Sequence, residues 1–217
     1  MSGKTISVLI SGRGSNLAAL LAAMRGGALN GTITHVVADR PDAAGLASAR
    51  EHGVVATVVD HRSHASRAAF DAALTAAIKA AAPDLVVLAG FMRVLRSDVV
   101  ADYTGRMINV HPSLLPLYPG LHTHRRALAD GVRVHGCTVH FVTPAVDAGP
   151  IIAQGAVPVL DGDDQTTLAA RVLAVEHRLL PAVVAWFCAG RLVLDGARAR
   201  VTQTTASDTR SLLVPAA

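Results

Sequence analysis

Short apolar, β-prone runs and longer helical stretches take turns along the first half of this chain. The runs lie at 5–10, 34–38, 54–59, 85–88 and 107–110, with helical patterns at 17–24, 42–52, 66–82 and 95–103 between them. Strands alternating with helices build a parallel sheet, because each crossover helix lays its apolar stripe against the sheet. The run Leu85-Val86-Val87-Leu88 contains no polar residue, as expected of a strand buried on both faces. The expected fold is therefore α/β, a doubly wound and mostly parallel sheet. Ligands of such sheets sit at the carboxyl ends of the strands. Those ends carry Gly12 and Gly14, then Gly90 to Met92, then Asn109 and His111. Three strands would deliver these residues to one crevice.

The second half is less regular. A polar stretch marked by Pro and Gly covers 117–123, and 135–142 alternates like a strand. A turn-rich loop at 143–150 holds one carboxylate, Asp147. An extended run follows at 151–159, then a long amphipathic helix at 166–186 with Asp163 or Asp164 as its cap. Segments 192–194 and 197–201 flank Asp195-Gly196 and read as a terminal hairpin. The end from Thr202 is expected to be loose. No repeat, low-complexity tract or linker interrupts the 217 residues, so one domain is expected over 1–217.

Half of the residues are apolar and only 3% are aromatic, so Ala, Val and Leu build the core. A chain of this length can bury a core that needs no staples. Cys137 and Cys188 lie far apart without a CxxC pattern, which speaks against a disulfide framework or zinc ribbon and for a reducing, cytoplasmic setting. The first residues lack the apolar core and cleavage site of a signal peptide, and no apolar run is long enough for a membrane span. The net charge of +4 admits a nucleic-acid binder. The basic residues are scattered, however, and few aromatics are present to stack bases. Small anionic ligands are the better expectation, with no nucleic acid and no membrane as partners.

Two motifs carry chemistry. Ser11-Gly12-Arg13-Gly14-Ser15-Asn16 joins the first strand to the first helix, an arrangement that offers free N–H groups and a helix dipole to a phosphate. Leu17 stands where a dinucleotide fingerprint needs its third glycine, and no G-K-[ST] follows. A single phosphate suits the loop; the alternative is a plain turn capped by Ser15 or Asn16. The second motif is Asn109-Val110-His111. Residues two apart on a strand share a face, so an amide and an imidazole emerge together, able to bind a carbonyl oxygen and move a proton. Pro112 then ends the ladder. Three other residues invite roles. Asp39 could read a ribose, but before Pro41 it is expected to be a turn residue. His122 and His124 form an H-x-H without supporting ligands, so no metal is expected. Glu176 reads most simply as a solvated helix residue.

The run Asn109-x-His111-Pro112-Ser113-Leu114-Leu115-Pro116, with Asp147-Ala148-Gly149-Pro150 downstream, resembles the formyltransferases that use 10-formyltetrahydrofolate. Ser11-Gly12-x-Gly14-Ser15-Asn16-Leu17, Leu88-Ala89-Gly90-Phe91-Met92-Arg93 and Tyr118-Pro119-Gly120-Leu121-His122-Thr123-His124 narrow the likeness. They are similar to the members that act on glycinamide ribonucleotide in purine biosynthesis. Relatives acting on methionyl-tRNA carry an extra C-terminal domain, and the deformylases an extra N-terminal one; this chain is expected to be neither.

The resemblance implies a Rossmann-like formyltransferase fold. It implies a nucleotide-phosphate half at about 1–105 and a catalytic, folate-binding half at about 106–201. Asn109, His111 and Asp147 would be catalytic. Gly14, Ser15 and Asn16 would hold the nucleotide phosphate, and Glu176 its ribose hydroxyls. Arg67, Met92, Arg93, Val94, Leu95, Asn109, Thr143, Pro144, Ala145, Val146 and Asp147 would line the folate site. The folate is a co-substrate, no metal is needed, and a homodimer is compatible. Leu173, Ala174 and Val175 replace a more polar approach to Glu176, so no side-chain contact is carried over to them.

Overall fold

The computed structural model describes residues 3–202. Seven strands form one sheet in the order β3-β2-β1-β4-β5-β6-β7. They are β1 (Lys4–Ile10), β2 (Gly31–Ala38), β3 (Val55–Val58), β4 (Leu85–Leu88), β5 (Met107–His111), β6 (Val134–Phe141) and β7 (Ile151–Pro158). The first five run parallel, and β6 and β7 each pair antiparallel with the preceding strand. From β1 the chain winds outward through β2 to β3, then crosses back to β4 on the other side of β1. The switch point between β1 and β4 opens a crevice at their carboxyl ends, where such sheets bind ligands.

Helices α1 (Ser15–Arg25), α2 (Gly45–Glu51) and α6 (Gln165–Cys188) cover one face; α3 (Arg67–Ala80) and α4 (Ser97–Asp102) cover the other. The apolar run of β4 serves both. Leu85 and Val87 pack with Leu17, Leu21, Leu180 and Val184, whereas Val86 and Leu88 pack with Phe70, Leu74, Ile78 and Val100. Burial of such side chains stabilises each layer by about 1.5–3 kcal/mol apiece. A third cluster, Cys137, Val157, Val159, Leu168 and Val172, seats the first half of α6 on β6 and β7.

Several ends differ from the sequence expectation. Neither Ser15 nor Asn16 caps α1: the capping position is Gly14 at φ +73°, without a side-chain bond. Asp164 caps α6, reciprocated by Thr167, while Asp163 pairs with Arg171 at 2.6 Å instead. The stretch after residue 117 holds a helix that the pattern did not announce, α5 (Thr123–Ala129); two turns buried at only Thr123 and Ala127 leave no apolar period. The hairpin β8 (Leu192–Asp195) and β9 (Arg198–Val201) forms as expected. Thr202 is tied rather than loose, its N–H reaching the Arg191 carbonyl at 2.8 Å. The expectation for the tail beyond it lies outside the described residues. No helix among the described residues is long and apolar enough to cross a membrane.

Candidate active site

The loop after β1 is shaped by a close backbone approach. Gly14 lies in the left-handed region, and a Cβ there would sit 2.6 Å from the Gly45 Cα. The Gly45 N–H donates to the Gly12 carbonyl at 3.2 Å. The turn that results exposes the first N–H groups of α1, which have no partner within the helix. Asn16 faces inward: its Nδ2 donates to Glu176 Oε2 at 2.7 Å, and its Oδ1 is buried without a partner. Glu176 is thus a buried residue, 6% exposed, and not a solvated one. Burial pushes its carboxyl up, and the Asn16 amide pulls the other way.

Asn109 and His111 project from β5 as a pair, and both find partners that define their hydrogens. His111 Nε2 is 2.9 Å from the Tyr118 carbonyl. A carbonyl only accepts, so Nε2 carries a hydrogen. Nδ1 is then the atom that gains or loses a proton, and it faces Asp147 Oδ2 at 3.4 Å. The same Oδ2 accepts from the Gly120 N–H at 2.8 Å. Asn109 lies directly opposite His140 in the β5–β6 ladder. His140 Nδ1 meets the Phe141 carbonyl at 2.8 Å and therefore carries the hydrogen, which leaves Nε2 to accept from Asn109 Nδ2 at 3.2 Å. Burial pushes the His140 imidazole down, and an Nε2 that accepts from Asn109 carries no proton to share with Asp147, 3.8 Å away. His140 fixes the Asn109 amide and leaves the second Nδ2 hydrogen for a ligand.

Beneath His111 the segment at 113–117 is stitched down. Thr138 Oγ1 donates to the Ser113 carbonyl at 2.7 Å and accepts from the Leu115 N–H at 3.0 Å. Gln154 Nε2 donates to the Leu115 carbonyl at 2.8 Å, and Ser113 Oγ to the Leu117 carbonyl at 2.6 Å. This is why a hydroxyl stands inside an otherwise apolar Pro112-to-Pro116 motif.

One cleft of about 720 Å³ joins the loop after β1 to Asn109, His111, His140 and Asp147. Its wall includes Gly14, Ser15, Asn16 and Glu176, and also Asn109, His111 and Asp147. Met92, Arg93, Val94, Leu95, Thr143, Pro144, Ala145 and Val146 line it as well, and so does Leu173. Arg67 does not line the cleft. Its guanidinium, exposed to solvent, holds the Val94 carbonyl and, at 2.7 Å, Asp71, so it stands beside the wall at 92–95. Asp39 lies in the bend after β2, as expected, but it is buried there, 1% exposed, and accepts from Arg93 Nε at 2.8 Å. His140 and the Asp39–Arg93 pair are the contacts that the sequence did not announce. Among the described residues no group of three or more His, Cys, Asp or Glu could hold a metal.

Residues 4–184 match the formyl transferase family. The chain belongs to that family. It is 49% identical over 187 residues to the phosphoribosylglycinamide formyltransferase of Escherichia coli (strain K12), covering 86% of this chain and 88% of that one. It is 45% identical over 194 residues to the trifunctional purine biosynthetic protein adenosine-3 of Drosophila melanogaster, 88% of this chain but 14% of that longer protein. The crystal structure of glycinamide ribonucleotide transformylase 1 from Symbiobacterium toebii superposes with a TM-score of 0.88 at 50% identity, covering 92% of this chain and 94% of that one. This formyl transferase is accordingly an enzyme on the expected Rossmann-like frame, with its cleft at the switch point of the sheet.

Proposed function

We propose that this formyltransferase moves the formyl group of 10-formyltetrahydrofolate to the amine of glycinamide ribonucleotide, in de novo purine biosynthesis. The products are formylglycinamide ribonucleotide and tetrahydrofolate. The observation that supports this reading is that one cleft is lined by Asn109, His111 and Asp147, by the phosphate-type loop at 14–16 and by the largely apolar wall at 92–95.

The backbone N–H groups at Gly14, Ser15 and Asn16 receive the nucleotide phosphate, and Glu176 accepts from the ribose hydroxyls. The wall at 92–95 and the loop at 143–147 take the folate. The amine attacks the formyl carbon, and the carbonyl oxygen becomes an oxyanion. Asn109 Nδ2 and protonated His111 Nδ1 donate to it; each such donor is worth about 10²–10³ in rate. Asp147 balances the imidazolium and takes up the amine proton through water. The tetrahedral centre collapses as the bond to the folate nitrogen breaks, and that nitrogen leaves with the proton that Asp147 returns through water. Both cysteines are buried and unpaired, in keeping with work in the cytoplasm.

The test mixes purified protein with both substrates and follows folate absorbance. Turnover that depends on glycinamide ribonucleotide is expected. Release of formate without the nucleotide would instead identify a deformylase, and no consumption of 10-formyltetrahydrofolate would reject the reading.

A further inference from the structure

The part of the cleft wall at 90–95 has no regular secondary structure, so its shape depends on what grips it. Side chains from three other elements do so. Ser11 Oγ accepts from the Met92 N–H at 2.8 Å. Arg67 holds the Val94 carbonyl from the start of α3. Arg93 Nε donates to Asp39 Oδ2 at 2.8 Å, at the carboxyl end of β2.

Asp39 is the distinctive grip. It is 1% exposed, whereas Arg93 is about one-third exposed and lines the cleft. The turn at residue 61 closes over it from the other side, with His61 N and Nδ1 at 3.2 and 2.9 Å from the Asp39 carbonyl. Its Oδ1 is buried without a partner. A buried carboxylate needs a cation, and losing it is costly, so the guanidinium of Arg93 is held in one place and the wall with it. In dinucleotide-binding sheets an acid at this position takes a ribose. Here the protein's own arginine occupies it.

We infer that Asp39 is a positioning residue for the formyl donor: by anchoring Arg93 it fixes the wall at 92–95 and so sets the affinity for the folate. This rests on the proposed function. Asp39 itself lines no part of the cleft, and its carboxylate bonds Arg93 and not the phosphate loop or Glu176.

The experiment measures kcat and KM for each substrate in the wild type and in Asp39→Ala, Asp39→Asn, Arg93→Met and the Asp39→Ala, Arg93→Met double variant. Coupled ion-pair partners share energies that correspond to about tenfold in an equilibrium. Asp39→Ala is expected to raise KM for 10-formyltetrahydrofolate about tenfold with KM for the nucleotide unchanged. Asp39→Asn keeps an oxygen for Arg93 Nε and should recover most of that loss. Arg93→Met alters a partly exposed side chain, so it tests the pair even where Asp39→Ala fails to fold. The double variant should be no worse than the poorer single one. Equal rises in both KM values, an unmoved donor KM in Arg93→Met, or multiplicative losses would overturn the inference. Wild-type turnover alongside any of these rejects the positioning role alone; a wild type without turnover rejects the function.

Discussion

Replacing Asn16 by Ala separates two roles that the phosphate loop could give it. The Asn16 Nδ2 hydrogen bond goes to Glu176, not outward. Both groups are buried, and a bond to an ionised partner is worth about 1.5–3 kcal/mol, roughly a factor of 10 to 100 in the equilibrium it supports. That bond favours the charged carboxylate, against the burial that pushes Glu176 up. Without it the carboxyl holds its proton to higher pH. A protonated Glu176 has one fewer oxygen to accept from ribose hydroxyls, so nucleotide binding suffers on the acid side. The assay is a pH profile of kcat/KM for glycinamide ribonucleotide, which reports groups of the free enzyme. In Asn16→Ala the acid limb should move to higher pH, with a loss of about tenfold or more there. The two profiles should converge toward alkaline pH, where Glu176 is ionised in both, and KM for the folate should stay put. If Asn16 served the phosphate through its side chain, kcat/KM would fall by one factor at every pH. Parallel profiles would therefore refute the reasoning.

Glu176→Gln should stabilise the fold while weakening the nucleotide site. Burial disfavours the charged carboxylate, so thermal unfolding at pH 7 should rise by about 2–4 °C per kcal/mol released, and the gain should vanish below about pH 4, where the unfolded chain's carboxyl is protonated too. Gly14→Ala forces a Cβ to within 2.6 Å of the Gly45 Cα at φ +73°; the conformation alone costs roughly 1–2 kcal/mol, so a lower Tm and a higher nucleotide KM are expected, and an unchanged pair of values would contradict the close approach. His111→Ala and Asp147→Asn share one 3.4 Å contact; each should cut kcat by about 10²–10³, and the double variant, measured in single turnovers, should be scarcely slower than the worse single one.

What was legible in the chain follows from physical range. The strand-helix alternation is local, and β4 announced itself because a strand buried on both faces can afford no polar residue. The loop at 11–16 and the Asn109–His111 pair are likewise short-range patterns. Glu176 was misread although its signal was present: Leu168, Val172 and Leu180 are buried on α6, and steps of four from 168 to 180 put residue 176 on that same stripe. His140 was not legible, because its place opposite Asn109 depends on the register of β6, which only strand pairing fixes. The Asp39–Arg93 bond joins residues 54 apart, and no local pattern encodes it. The Arg67 bond to the Val94 carbonyl likewise joins residues 27 apart, beyond any local pattern.

The distribution of backbone strain argues for the same centre by an independent route. Four non-glycine residues among those described have positive φ: Ala82, Tyr118, His122 and Asp147. Of these, Tyr118 and Asp147 supply the two partners of His111, a carbonyl for Nε2 and a carboxylate for Nδ1. Such conformations cost of order 1–3 kcal/mol each and persist only where surrounding bonds over-determine them. The bonds are there. The Gly120 N–H ties the first loop to the Asp147 carboxylate, Ser113 Oγ holds the Leu117 carbonyl, and Arg126 holds the Pro119 carbonyl at 2.6 Å. Those bonds hold two strained turns, and both turns end on His111. Keeping both strained, one on each nitrogen of His111, is what a site needs if the proton on Nδ1 must point one way before the substrate arrives.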